Sequence, residues 1–189
     1  MQPLIILLAA PSGTGKSTMA KLLLEDFPNL KFSISATTRP PRKCELHKTD
    51  YYYLSMDEFQ QKIDDGDFIE WEEFYGGTRY GTLRSELVKN TEKGYYTLLD
   101  VDVKGAVRIK SLFNERCLAL FLRPQSLEIL EERLRNRNTE SESSIKLRIE
   151  RAEEELRYAR HFDNIITNDN LDKAYSELKD VVQNFINSY

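Results

Sequence analysis

The chain has 189 residues, 40% of them hydrophobic and 31% charged, with a formal net charge of -4. That length suits one compact domain with a buried core, and the charge supplies no basic footprint for bulk nucleic-acid binding. No apolar run reaches the roughly eighteen residues that a membrane helix needs, and Cys44 and Cys117 lie too far apart in sequence for a metal or redox spacing. A reducing, cytosolic compartment is the expectation.

In chain order, residues 4–9 form an apolar run without a basic leader, which reads as a strand and not as a signal peptide. Four further runs follow at 30–35, 95–100, 117–122 and 164–167. Their near-continuous hydrophobicity suits parallel strands buried on both faces. Helical patterns are expected at 17–26, 103–114, 126–137, 144–160 and 171–187, the last capped by Asn170 with Asp172 in its first turn. Strands alternating with helices predict an α/β fold: an open parallel sheet of about five strands flanked by helices. Residues 36–90 break that rhythm with Pro40-Pro41, aromatic strand-like pieces at 51–54 and 68–74, and a Gly76-Gly77 turn. A short helix there opens on the capping box Ser55-Met56-Asp57-Glu58. The segment is expected to be a small mixed α+β insertion. Most charges at 133–160 read as a solvated, salt-bridged helix pair.

Between the first strand and the first helix stands Ala10-Pro11-Ser12-Gly13-Thr14-Gly15-Lys16-Ser17-Thr18. In a P-loop, backbone N–H groups curl around a β-phosphate and the helix N-terminus adds positive potential. A lysine reaches the β- and γ-phosphates and the next hydroxyl ligates Mg²⁺; Lys16 and Ser17 occupy those places. Ala10 stands where the motif has glycine, a replacement that is tolerated if φ there is negative. Asp100 ends a buried strand, where ligands bind in open α/β sheets, and is expected beside Mg²⁺ or the acceptor.

The acceptor is read from the insertion. Arg39 and Arg42 lie three apart on a proline-stiffened loop, and two guanidiniums suit a dianionic phosphate. Glu45, Tyr51, Glu70, Tyr80 and Thr82 add carboxylates and hydroxyls fit for one nucleotide. Together with Asp67-Phe68-Ile69-Glu70-Trp71, Tyr80-Gly81-Thr82, Leu99-Asp100-Val101-Asp102-Val103-Lys104-Gly105-Ala106, Arg133 to Arg137 and Asn168-Asp169, these segments resemble the guanylate kinases over essentially the whole chain.

That resemblance implies a core of residues 1–35 and 83–189, a GMP-binding insertion at 36–82 and a mobile helical lid at about 133–150. It implies ATP-dependent phosphorylation of GMP, and of dGMP, with Mg²⁺ bound as Mg·ATP. It assigns Arg39, Arg42, Tyr51 and Tyr80 to the GMP phosphate, with Glu45 orienting the arginines. Ser35, Glu70, Thr82 and Asp102 become guanine readers. Asp100 lies beside Mg²⁺, Arg133, Arg137 and Arg148 become lid arginines over the ATP phosphates, and Asn168 lies along adenine. Cys44 and Lys48 occupy positions that are often glycine in that family. The alternatives are a phosphokinase of the ribose 1,5-bisphosphate type, which would dispense with guanine readers, and a non-catalytic binding module, which would usually lack the lysine of the P-loop. Neither nucleic acid nor membrane is an expected partner.

Overall fold

The computed structural model describes residues 2–74, 76–136 and 142–189. β1 (Ile5–Ala9) is buried at all five positions, and α1 (Lys16–Asp26) follows it. Next come β2 (Leu30–Phe32), β3 (Ala36–Thr37), β4 (Tyr52–Tyr53), α2 (Met56–Asp64), β5 (Phe68–Glu73), β6 (Arg79–Leu83) and α3 (Arg84–Glu92). The remainder is β7 (Tyr96–Asp100), α4 (Val103–Phe113), β8 (Cys117–Pro124), α5 (Leu127–Arg135), α6 (Glu142–Arg157), β9 (Asn164–Asn168) and α7 (Leu171–Asn187).

The expected open α/β sheet is present as five strands in the order β2-β7-β1-β8-β9, and the β2–β7 and β8–β9 pairs are parallel. Non-sequential neighbours of this kind require crossover connections, which the intervening helices supply. A second sheet has the order β4-β3-β6-β5, mixing parallel and antiparallel pairs. The chain divides into two compact units, residues 1–5 with 29–99 and residues 6–28 with 100–189. Within the first, Ala36, Phe59, Phe68 and Leu83 form a separate core, with the Phe59 and Phe68 rings stacked at 4.5 Å. Within the second, Leu130 and Leu134 of α5 pack with Ile145 and Ala152 of α6.

Local signals are realised closely. Ser55 and Glu58 make a reciprocal capping box on α2, and the Asn170 side chain accepts from the Lys173 N–H at the start of α7. The run at 30–35 is not one strand. β2 ends at Phe32, and after Ser33 donates to the Leu98 carbonyl at 2.9 Å the chain turns into β3 of the other sheet. α3 lacks a side-chain cap, because Leu83 stands at its N-cap, and two of its three buried residues, Glu86 and Asn90, are polar. The Tyr52 hydroxyl, 34 positions away, donates to Glu86 at 2.8 Å, Lys89 of the same helix donates to it at 3.2 Å, and Asn90 donates to Thr97 at 3.3 Å. The helix pattern at 144–160 ends at Arg157 and tightens into a 3₁₀ turn at Ala159–His161.

Among the described residues no helix is long and apolar enough to cross a membrane. Cys44 is exposed, whereas burial pushes the Cys117 thiol up to about 12.

Candidate active site

The loop at residues 10–18 lies in the second unit. β1 delivers the chain into the loop, and α1 begins at Lys16 with Thr18 and Met19 donating to the Gly15 carbonyl at 3.1 Å. Gly13 and Gly15 have φ of 95° and 99°, a left-handed conformation that side chains rarely adopt. A Cβ on Gly13 would press on Leu130 and Leu134 at 3.1 Å, and one on Gly15 would meet the Asn168 amide nitrogen at 2.7 Å. Ala10 is not among the described residues with positive φ, so alanine stands there without strain. Pro11 and Thr14 are buried, and the Thr14 N–H closes the turn on the Pro11 carbonyl at 3.2 Å.

Lys16 Nζ forms an ion pair with Asp100 and donates to the Val101 carbonyl at 3.3 Å. Both side chains of the pair keep about a quarter of their surface open, at 23% and 24%. The ammonium is therefore held at the end of β7 yet remains reachable by an anion. Ser17 and Thr18 are exposed on the first turn of α1. Arg148 of α6 donates to the Ser12 hydroxyl, and Arg133 of α5 donates to the Asn168 carbonyl at 3.3 Å. Arg137 lies outside the described residues. The Asp102 carboxylate accepts from the Lys104 and Gly105 N–H groups at 3.2 and 3.1 Å, which makes it the N-cap of α4.

The first unit assembles the arginine loop. Arg39 pairs with Glu45 through both terminal nitrogens at 2.9 Å, and its Nε donates to the Tyr80 hydroxyl at 3.3 Å. The rings of Tyr51 and Tyr53 lie 5.5 and 5.8 Å from the guanidinium. Glu45 also accepts from the Arg42 N–H at 2.7 Å and from the Tyr53 hydroxyl at 2.8 Å. The hydrogen bond from Arg39, then that from Arg42, lowers the Glu45 carboxyl from 4.5 to about 2. Burial first, then the contact with Glu45, raises the Tyr53 hydroxyl to about 12. Arg42 contributes its backbone to this cluster while its side chain is exposed.

On the neighbouring strands Glu70 pairs in register with Thr82, whose hydroxyl donates to Oε1 at 2.6 Å. Glu70 is only 8% exposed. Ser35 immediately precedes Ala36, which pairs with Gly81 beside Thr82. Gly81 has to be glycine, because a Cβ would meet the Phe68 ring at 2.7 Å and the Glu70 carbonyl at 3.1 Å.

The geometry thus joins Lys16 to Asp100, Ser12 to Arg148, Asn168 to Thr14 and Arg133, Arg39 to Glu45, Tyr51 and Tyr80, and Glu70 to Thr82. A family model described as guanylate kinase matches residues 1–185. The chain belongs to the guanylate kinase family. A guanylate kinase of Chlorobium luteolum is 45% identical over 97% of this chain and 93% of its own. One of Bacteroides thetaiotaomicron is 43% identical over 97% of this chain and 90% of its own. The crystal structure of guanylate kinase from Anaplasma phagocytophilum superposes with a TM-score of 0.76, at 30% identity, over 96% of this chain and 85% of that one.

Within this guanylate kinase fold, two residues in these clusters lay outside the sequence-based set. Tyr53 had a legible signal: side chains two apart on a strand share a face, so Tyr53 accompanies Tyr51 toward Arg39. Glu155 follows Arg148 and Arg151 at helical spacing on α6. Burial pushes its carboxyl above the usual range, against the opposing bond from Arg151 at 2.7 Å and the charge of Lys16.

Proposed function

We infer that the chain transfers the γ-phosphate of ATP to GMP, and to dGMP, yielding ADP and GDP or dGDP. It is an enzyme, a nucleoside monophosphate kinase. The observation that carries this reading is an intact Lys16 behind a glycine turn of positive φ, in a chain that matches the guanylate kinase family over residues 1–185. A non-catalytic module has no use for such a lysine, and a kinase of ribose phosphates has no use for a buried Glu70 beside Thr82.

In this reading the N–H groups between Gly13 and Lys16 and the ammonium of Lys16 hold the ATP phosphates. Lys16 exchanges Asp100 for phosphate oxygens, a change that its partial exposure permits. Arg39 and Arg42, with Tyr51 and Tyr80, bind the GMP phosphate, and Glu45 holds the Arg39 fork in plane. Ser35, Glu70, Thr82 and Asp102 read guanine. We take 36–82 as the GMP-binding segment and about 133–150 as a lid whose Arg133, Arg137 and Arg148 neutralise the transferring group. Phosphoryl transfer demands positioning and charge neutralisation more than covalent work, so no general base is invoked: the GMP phosphate is already ionised.

The donors suit Mg²⁺. No group of three or more His, Cys, Asp or Glu side chains stands together as a metal cage among the described residues, and Ser17 and Asp100 supply the hard oxygens that Mg²⁺ uses alongside nucleotide phosphates. When bound, Mg²⁺ neutralises charge on the β- and γ-phosphates. Free cysteines and a chain without a membrane-crossing helix among its described residues are compatible with a cytoplasmic place of action.

The test is ADP release with GMP, AMP, UMP and ribose phosphates in parallel. Turnover confined to the guanine nucleotides is expected; preferential turnover of a ribose phosphate, or none with any acceptor, overturns the reading.

A further inference from the structure

We propose that Asn168 is a positioning residue of the phosphate cradle, acting from behind the loop by aiming the Gly15 N–H, and not as a contact to the adenine base. Asn168 ends β9, 154 positions from Thr14, yet its side-chain amide donates to the Thr14 carbonyl at 2.7 Å in a buried setting. Only 5% of the residue is exposed, and Thr14 is fully buried. The peptide between Thr14 and Gly15 is trans, because no cis bond occurs among the described residues. In a planar trans peptide the carbonyl and the following N–H point in opposite directions. Pinning the Thr14 carbonyl toward β9 therefore turns the Gly15 N–H away from β9, to the side on which an anion is cradled.

Two further observations converge on this contact. The Thr14 hydroxyl is buried with no hydrogen-bond partner, so the Thr14 side chain supplies no alternative anchor. The Asn168 amide nitrogen also fills the space a Gly15 Cβ would need, at 2.7 Å. Gly15 is thus required both by its φ of 99° and by the anchor behind it. Arg133 donates to the backbone carbonyl of the same Asn168 at 3.3 Å, which ties α5 to the anchor as well.

The inference rests on reading residues 10–18 as the ATP phosphate cradle, and inorganic tripolyphosphate, which has no base, separates the two claims. Calorimetry on the full chain would compare ATP with tripolyphosphate for wild type, Asn168→Ala and Asn168→Asp. The Asp variant keeps the shape and removes the donor, so it serves if the Ala variant does not fold. Loss of one buried hydrogen bond corresponds to up to about tenfold, so both ligands should weaken by the same factor, about tenfold, with the KM for GMP unchanged. Loss confined to ATP makes Asn168 an adenine contact and overturns the proposal, as does unaltered binding of both ligands. Wild-type protein that binds neither ligand overturns the cradle itself.

Discussion

Glu70→Gln is the most discriminating substitution for the acceptor assignment. Glu70 is 8% exposed, and its Oε1 accepts the Thr82 hydroxyl at 2.6 Å. Guanine offers donors at N1 and N2, and a carboxylate accepts them. In the variant the amide oxygen inherits the bond from Thr82, and the NH₂ group then faces guanine's donors. One charge-assisted hydrogen bond is lost, worth about 1.5–3 kcal/mol, and the donors it served are left without an acceptor. At about 1.4 kcal/mol per factor of ten, kcat/KM for GMP should fall at least a hundredfold or so. Discrimination against AMP, which presents an acceptor at N1, should shrink, since sites built on such hydrogen bonds owe their selectivity to them. The bond from Thr82 survives, so the melting temperature should hold within a few degrees. The assay is coupled ADP release with GMP and AMP, alongside thermal melting. Unaltered GMP kinetics in a folded variant would refute the reasoning and make Glu70 a structural partner of Thr82.

Lys16→Ala should lower kcat by about 10²–10³, the usual cost of removing one preorganised charge. It should leave the protein folded, because Asp100 keeps about a quarter of its surface in water; a variant with half of wild-type turnover argues against the cradle. Glu45 titrates at about 2 in the fold against an ordinary 4.5, so its stabilising contribution is complete above 4.5 and is lost as pH falls toward 2. Urea midpoints should decline across that window in wild type, and Glu45→Gln should flatten the decline; equal slopes would discount the Arg39–Glu45 pair. Lys48 sits at φ 64°, a conformation that costs a side-chain-bearing residue about 1 kcal/mol. Lys48→Gly relieves that cost against a comparable entropy loss, so its melting point should stay level or rise slightly, whereas Lys48→Val should melt several degrees lower. A melting point that Val leaves unchanged would show that the turn relaxes.

What the sequence by itself determined is local in origin. The cradle is written in nine consecutive residues, because a strand, two glycines and a helix start constrain their own backbone over that span. The caps at Ser55 and Asn170 are legible for the same reason, since donor and acceptor lie within three residues of each other. Alternation would also have exposed Tyr53 beside Tyr51, as a strand repeats every two residues.

The tertiary structure decided where the partners of those local devices come from. α3 hides two polar groups in its buried face, and Tyr52 and Thr97, brought alongside by other strands, bond to them, with Lys89 of the same helix also pairing with Glu86. The expected strand at 30–35 breaks because its two ends serve different sheets, a choice made by the neighbours and not by hydrophobicity. Arg148 reaches Ser12 across 136 positions, and Asn168 reaches Thr14 across 154. Contacts of such separation depend on strand order and crossing path. A hydrogen bond acts only within about 3 Å, and no local pattern specifies which distant segment will arrive there.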